Sequence, residues 1–290
     1  MKLSVIIPTL NAEKELPALL KALEGQTAAP EEILVVDSES TDRTQEICRA
    51  SGRVRLLTVR RQDFDHGRTR DEALRQCAGD VVVFLTQDAV PADEKCLEHL
   101  IRPLGEAGVA VSAGRQLPRT DATPMEKLVR SFNYPAEGHI RSEEDVARMG
   151  IKAFFCSDVC AAYNREIYEK LGGFDFPLKT NEDMFFAARA IRGGYRVAYA
   201  ADARVVHSHN FSLGEQYRRN RIQGYEIERH RDLLGPVSQE SEGKKLVRYV
   251  GTGLLKQGRV LSFARFGMDC CARLLGSRAG KKEYLREQHE

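Results

Sequence analysis

Acidic residues stand directly behind short apolar runs at two places in this 290-residue chain. Val81–Leu85 is followed by Thr86, Gln87 and Asp88, and Ile33–Val36 by Asp37. Such runs, rich in β-branched residues, read as strands buried on both faces of a parallel sheet. Ligands of open α/β sheets sit outside the carboxyl ends of the strands. An acid there either handles a metal or a substrate, or caps the turn that follows. Glu182 and Asp183 open a segment with helical spacing, where first-turn acids complement the helix dipole. His207 and His209 follow Val205-Val206, and a neutral imidazole is a metal ligand. Phe64–Arg70 crowds Asp65, His66, Gly67, Arg68 and Arg70 into the approach to a helix. A helix N-terminus and bidentate guanidinium groups suit a diphosphate.

The elements that must position these groups follow from the hydrophobic pattern. Strands are expected at Leu3–Ile7, 33–36, 55–59 and 80–85, with helices at 13–23, 44–50 and 69–77 between them. This β-α alternation with short connections predicts an α/β fold, a mostly parallel sheet with helices on both faces. Helices at 97–104 and 166–171 and strands at 109–112 and 195–199 continue the pattern. Residues 117–150 show no sustained periodicity and read as short helices and a mobile loop.

Composition narrows the function classes. Hydrophobic residues make up 42% and charged residues 30%, ordinary for a soluble globular chain. Net charge is +2, but residues 216–290 hold 16 Lys and Arg against 9 Asp and Glu, while the remainder holds 28 against 33. A basic tail on an acidic body points to an anionic surface or substrate. With no interleaved aromatic platform, nucleic acid is not an expected partner. Seven cysteines show no paired metal-binding spacing and read as reduced thiols of a cytoplasmic protein. The N-terminal apolar stretch is too short for a signal peptide, and no later one could span a bilayer. No G-x-G-x-x-G or G-x-x-x-x-G-K-[ST] follows a strand, which removes dehydrogenase-type and P-loop nucleotide binding.

Ser4–Asn11 together with Glu32–Thr44 closely resembles the start of family 2 glycosyltransferases, and further motifs follow in order over about residues 1–215. The resemblance implies a GT-A, Rossmann-like fold and a nucleotide-sugar donor. It implies a donor half at about 1–115, an acceptor half at about 116–215 and a helical extension at 216–290. By the same resemblance, Pro8, Thr9 and Asn11 lie over the nucleotide and Asp37 pairs with the base, whose imide N–H a carboxylate can accept. Asp65 and Arg70 border the donor pocket. Asp42 is left as a helix cap. The string Phe64-Asp65-His66-Gly67 looks like that of rhamnosyltransferases using dTDP-L-rhamnose.

Thr86-Gln87-Asp88 stands where the family carries Asp-x-Asp, which binds Mg²⁺ or Mn²⁺. Asp88 remains as metal ligand, with His207 matching the family's histidine better than His209. Gln87 and Asp88 border the donor. Asp183 matches the catalytic base, with Glu182 and Asp158 as acceptor-side or supporting groups. Arg218 falls near the processive members' Gln-x-x-Arg-Trp; the Trp is lacking, and Arg218 is assigned to the donor diphosphate. Phe132–Pro135 is expected to line the acceptor site.

The tail, about 244–275, carries a stripe of Val260, Phe263, Ala264, Gly267, Cys271 and Leu274 beside Arg259, Arg265 and Arg273. A basic amphipathic helix suits peripheral contact with a membrane, or packing on the catalytic domain or on another subunit of a homo-oligomer. The implied activity is inverting, metal-dependent transfer of a sugar, L-rhamnose in first place, to a saccharide or lipid-linked saccharide in cell-surface polysaccharide assembly. That places the enzyme in the cytoplasm, at the inner face of the membrane. Transfer of another sugar from a UDP donor, or a catalytically silent glycan-binding module, are the rivals.

Overall fold

The computed structural model describes residues 2–236 and 240–289. Nine strands form one sheet: β1 (Leu3–Thr9), β2 (Glu32–Asp37), β3 (Val54–Thr58), β4 (Val81–Leu85), β5 (Val90–Pro91), β6 (Val109–Leu117), β7 (His139–Arg141), β8 (Cys160–Asn164) and β9 (Arg196–Val206). The helices of the body are α1 (Leu16–Glu24), α2 (Thr44–Ala50), α3 (His66–Arg75), α4 (Cys96–Ile101), α5 (Pro124–Asn133), α6 (Glu143–Met149), α7 (Arg165–Lys170) and α8 (Glu182–Arg192). Then come α9 (Leu213–Arg229), α10 (Arg231–Leu234), α11 (Glu240–Lys256) and α12 (Val260–Glu287).

The strand order is β3-β2-β1-β4-β8-β6-β9-β5, with β7 on β9. β1 to β4 run parallel, as the apolar runs predict; β8 inserts antiparallel between β4 and β6, so the sheet is mixed beyond that point. Strand alternation splits the core between two faces. Ile6, Val82 and Phe84 face α3, α7 and α8, whereas Val5, Ile7 and Val83 face α1 and α4. The parallel strands thus end together, and their carboxyl edge is the floor on which the acids stand.

Residues 117–150 hold short helices, as expected, in α5 and α6, with β7 where a loop was expected; α5 starts on Thr123, whose hydroxyl accepts from the Glu126 N–H, followed by Pro124. Of the stretch expected at the acceptor site, Tyr134 is buried against Phe155 and Tyr199, and Phe132 packs on Tyr249 of α11. Of the two readings of the tail stripe, packing on the body is not the one α12 shows. The buried positions are Phe266, Asp269, Gly276 and Gly280, and the stripe faces outward. A Cβ at Gly276 or Gly280 would run into the carbonyls of Tyr217 and Arg221, and one at Gly224 into that of Ser277. Glycine at these points lets α9 and α12 meet backbone to backbone.

No disulfide joins the cysteines, which are free and mostly buried. Among the described residues no helix is long and apolar enough to cross a membrane.

Candidate active site

The carboxyl ends of β1, β2 and β4 are laced into one lattice. The Leu10 N–H donates to Gln87 Oε1 at 2.8 Å, and Gln87 Nε2 donates back to the Leu10 carbonyl at 3.3 Å. Asn11, held at φ 52°, donates its N–H to Ser40 Oγ at 2.8 Å and accepts the Thr41 N–H at 2.9 Å. Asp37 is 0% exposed and accepts from Thr9, from the Ser40 N–H and hydroxyl and from the Gln45 amide. Pro8, Thr9, Asn11, Asp37 and Gln87 are therefore brought together, as the motifs imply, but Asp37 and Gln87 act on the loops themselves. The cleft beside them is lined by Glu39, Arg60, Arg61 and Gln62. Asp42 caps Thr44 and accepts the Glu13 N–H.

Beyond β4 lies a second cluster. Asp88 Oδ2 is 3.4 Å from His207 Nε2 and 3.2 Å from His209 Nε2, and the two nitrogens are 3.1 Å apart. The partners of His207 fix which nitrogen is free. Gln116 Nε2 donates to Ser157 Oγ at 3.0 Å, while Gln116 Oε1 accepts from Arg130 and lies 3.0 Å from His207 Nδ1. Nδ1 must then carry the proton, which leaves the Nε2 lone pair facing Asp88, a tautomer assigned from this network. Burial holds the His207 imidazole down at about 4, against the pull of Asp88, and holds that of His209 down as well. Both rings are neutral at physiological pH, the form that ligates a metal.

The donor set fits a divalent cation. Ligand atoms about 2.1 Å from an octahedral ion lie about 3.0 Å apart at adjacent corners. Asp88, His207 and His209 have that spacing and would cap one face, leaving the opposite face open. His209, set aside in favour of His207 on the sequence, had a signal: in an extended segment residues i and i+2 point the same way.

The third cluster surrounds Asp183, in the first turn of α8. Its carboxylate accepts the Asp158 N–H at 2.9 Å and the Met184 N–H at 2.7 Å. Burial, then the neighbouring Glu182, push Asp183 up to about 7. Asp158, just before β8, is pushed well above the usual carboxylate range by burial and by Asp183, although Arg70 opposes this. Tyr163 donates its hydroxyl to Asp158 Oδ1 at 2.6 Å. Arg70 lies 3.4 Å from Asp158 and 3.2 Å from Glu182. The segment Ser157-Asp158 joins the clusters: Ser157 bonds Gln116 behind His207, and the Asp158 N–H bonds Asp183.

The side chains of the Phe64–Arg70 stretch have partners within the fold. Asp65 caps α3, accepting the Arg68 N–H at 2.8 Å, and reaches across to accept the Leu178 N–H at 2.7 Å. Gly67 is required because a Cβ would collide with the Asp175 carbonyl. Arg70 is 4% exposed and faces the carboxylates of Asp158 and Glu182. Arg218 and Arg219 are both exposed, and Arg219 lies over the Phe211 ring at 4.4 Å, which leans on His209 at 5.1 Å. Arg219, next to the Arg218 singled out on the sequence, is thus the nearer of the two to the site. Gln116 and Arg130 were missed, because nothing local in the sequence marks them.

Residues 4–172 match the family model for Glycosyl transferase family 2. The chain belongs to that family. This family 2 glycosyltransferase is 40% identical over 220 residues to the O-antigen chain rhamnosyltransferase RfbN of Salmonella typhimurium, covering 76% of this chain and 70% of that protein. It is 39% identical over 218 residues to the O-antigen chain rhamnosyltransferase WbaN of Salmonella anatum, covering 74% and 69%. Its fold is GT-A-like. The mannosyltransferase PcManGT of Pyrobaculum calidifontis, solved with GDP-Man and Mn²⁺, superposes with a TM-score of 0.66 at 17% identity, over 96% of this chain and 86% of that one. S. aureus TarS 1-349 with UDP-GlcNAc gives 0.58 at 20%, over 98% and 92%.

Proposed function

We propose that this enzyme transfers L-rhamnose from dTDP-L-rhamnose, with inversion, to a saccharide or lipid-linked saccharide in the assembly of a cell-surface polysaccharide. The observation that carries the reading is the link through Ser157-Asp158 between a high-pKa carboxylate and a two-histidine, one-carboxylate corner. The relatives named as O-antigen rhamnosyltransferases support the choice of sugar. Asp183 takes the proton of an acceptor hydroxyl. The freed oxygen bonds to the anomeric carbon, and the bond to the diphosphate breaks on the opposite face, its electron pair leaving with the nucleotide. Glu182, Asp158 and Arg70 hold Asp183 in place and set its proton affinity.

Asp88, His207 and His209 would hold the cation, and with two imidazoles the set favours Mn²⁺ over Mg²⁺. When bound, such an ion neutralises the charge that develops on the leaving diphosphate. Arg219 is placed to assist there, in the role first given to Arg218. The nucleoside would rest in the donor half, about 1–115, over the lattice of β1 and β2, and the acceptor in the half that follows. The site of action would be cytoplasmic, with the basic extension at the inner face of the membrane.

A donor screen by mass spectrometry tests this: dTDP-L-rhamnose should yield product and UDP-sugars should not. Efficient use of a UDP-sugar alone would overturn the choice of sugar, and no turnover with any donor would favour a silent binding module. Gln116 fixes the orientation of the His207 ring through Nδ1. Gln116→Leu should weaken Mn²⁺ binding about 10- to 100-fold in calorimetry, while Gln116→Glu, which keeps an acceptor for His207 Nδ1, should stay near the wild type. Unchanged affinity in the leucine variant would remove Gln116 from the account.

A further inference from the structure

Among the described residues, the outward face of α12 carries a row of exposed apolar side chains. Val260 is 65% exposed, Leu261 88% and Leu275 58%, and Phe263, Met268 and Leu274 are exposed with them. At 100° per residue these positions form one continuous stripe running four turns along the helix, opposite the face that packs on α9. Large exposed apolar stripes of this kind mark an interaction surface.

The charges around the stripe select its occupant. Between Arg259 and Lys282 the one acid is Asp269, which is 0% exposed and held by Arg273 on the packed side. Arg259, Arg278 and Lys282 are exposed at the two ends of the stripe. The outer surface is therefore apolar and cationic only. Two copies facing each other through it would oppose like charges, whereas a bilayer with anionic headgroups matches both properties.

The position of the stripe relates it to the site. A cleft of about 480 Å³ is lined by His209, Phe211 and Glu126 on one side and by Leu261, Ser262 and Arg265 on the other. Its outer lip is the first turn of α12, where the most exposed apolar side chain stands. Gly258, at φ +66°, makes the turn from α11 that brings Leu255, also exposed, to the same corner.

We propose that α12 lies in the interfacial plane of an anionic bilayer on this stripe, so that the cleft leading to His209 opens at the level of the headgroups. A lipid-borne acceptor then reaches the site without leaving its leaflet. This deepens the proposed function and rests on its reading of a membrane-borne acceptor, but the docking can be measured without turnover.

The test is flotation of the full chain with vesicles of phosphatidylglycerol in phosphatidylcholine, and of phosphatidylcholine alone. Binding is expected to the first, falling with added salt, and not to the second. The double variant L274E/L275E lies away from the cleft. It should lose at least about 10-fold in vesicle partition while keeping wild-type transfer to a water-soluble acceptor. R278E/K282E should lose salt-sensitive binding in the same way. Absence of vesicle binding, unchanged binding in both variants, or a dimer in sedimentation that L274E/L275E dissociates would overturn the proposal. Vesicle binding without transfer from any donor would instead sink the catalytic reading and leave the docking standing.

Discussion

Asp183→Asn is expected to abolish transfer, lowering kcat by about 10²- to 10⁴-fold, the range supplied by a positioned general base, with nucleotide-sugar binding left near the wild type by calorimetry. The substitution is isosteric and sits on α8, away from the lattice at the ends of β1, β2 and β4. The pH dependence has a definite sign. Burial and Glu182 hold Asp183 at about 7, so below that pH the carboxyl is protonated and cannot accept. The kcat/KM of the wild type should rise through an acidic limb near pH 7. Arg70 favours the ionised carboxylate, and Arg70→Met should move the limb to higher pH. Full turnover in Asp183→Asn would hand the base role to another group, and a limb far below pH 6 would contradict the electrostatic picture.

Loss of metal should be as severe. Asp88→Ala is expected to cost at least about 100-fold in Mn²⁺ affinity, the upper end of what removing an outer partner costs, and to leave transfer at the level of the EDTA-treated wild type. His209→Ala is the informative companion. On the sequence, Asp88 and His207 were the expected ligands, yet the His209 Nε2 stands 3.2 Å from Asp88, closer than that of His207. A drop in affinity, read by manganese EPR, is expected for each histidine. Wild-type affinity in His209→Ala would reduce the site to two protein ligands.

What the sequence disclosed, it disclosed through burial. Strands covered on both faces appear as unbroken apolar runs, so β1, β2 and β4 were legible, and with them the floor carrying Asp37 and Asp88. The insertion of β8 between β4 and β6 was not legible, because it is a pairing between segments far apart in the chain. That insertion brings Asp158 beside Asp183. Arg70 shows the same limit: an arginine at a helix start reads as an anion site, and only the tertiary structure shows that its anions are Asp158 and Glu182. In α5 the signals were present, Thr123-Pro124 with Glu126 in the first turn, but lay inside a polar stretch. For α12 the amphipathic pattern was visible while its direction was not. A face that packs through Gly276 and Gly280 offers few large apolar side chains to betray it.

The burial of Asp158 and Asp183 side by side also ties folding to proton uptake. Carboxyls whose affinity for protons is raised in the folded chain bind protons more tightly there than when unfolded. Their stabilising contribution is complete below the ordinary carboxylate pKa and is lost as pH rises, for Asp183 through about 7. Asp158 shifts in the same direction. From these two groups the contribution is greatest in acid, where the base is protonated and idle, and falls as it becomes active, while the lowered imidazoles of His207 and His209 act in the opposite sense. By the same linkage the fall in Tm between about pH 5 and pH 8 should be shallower in Asp183→Asn than in the wild type, which calorimetry at the two pH values would read.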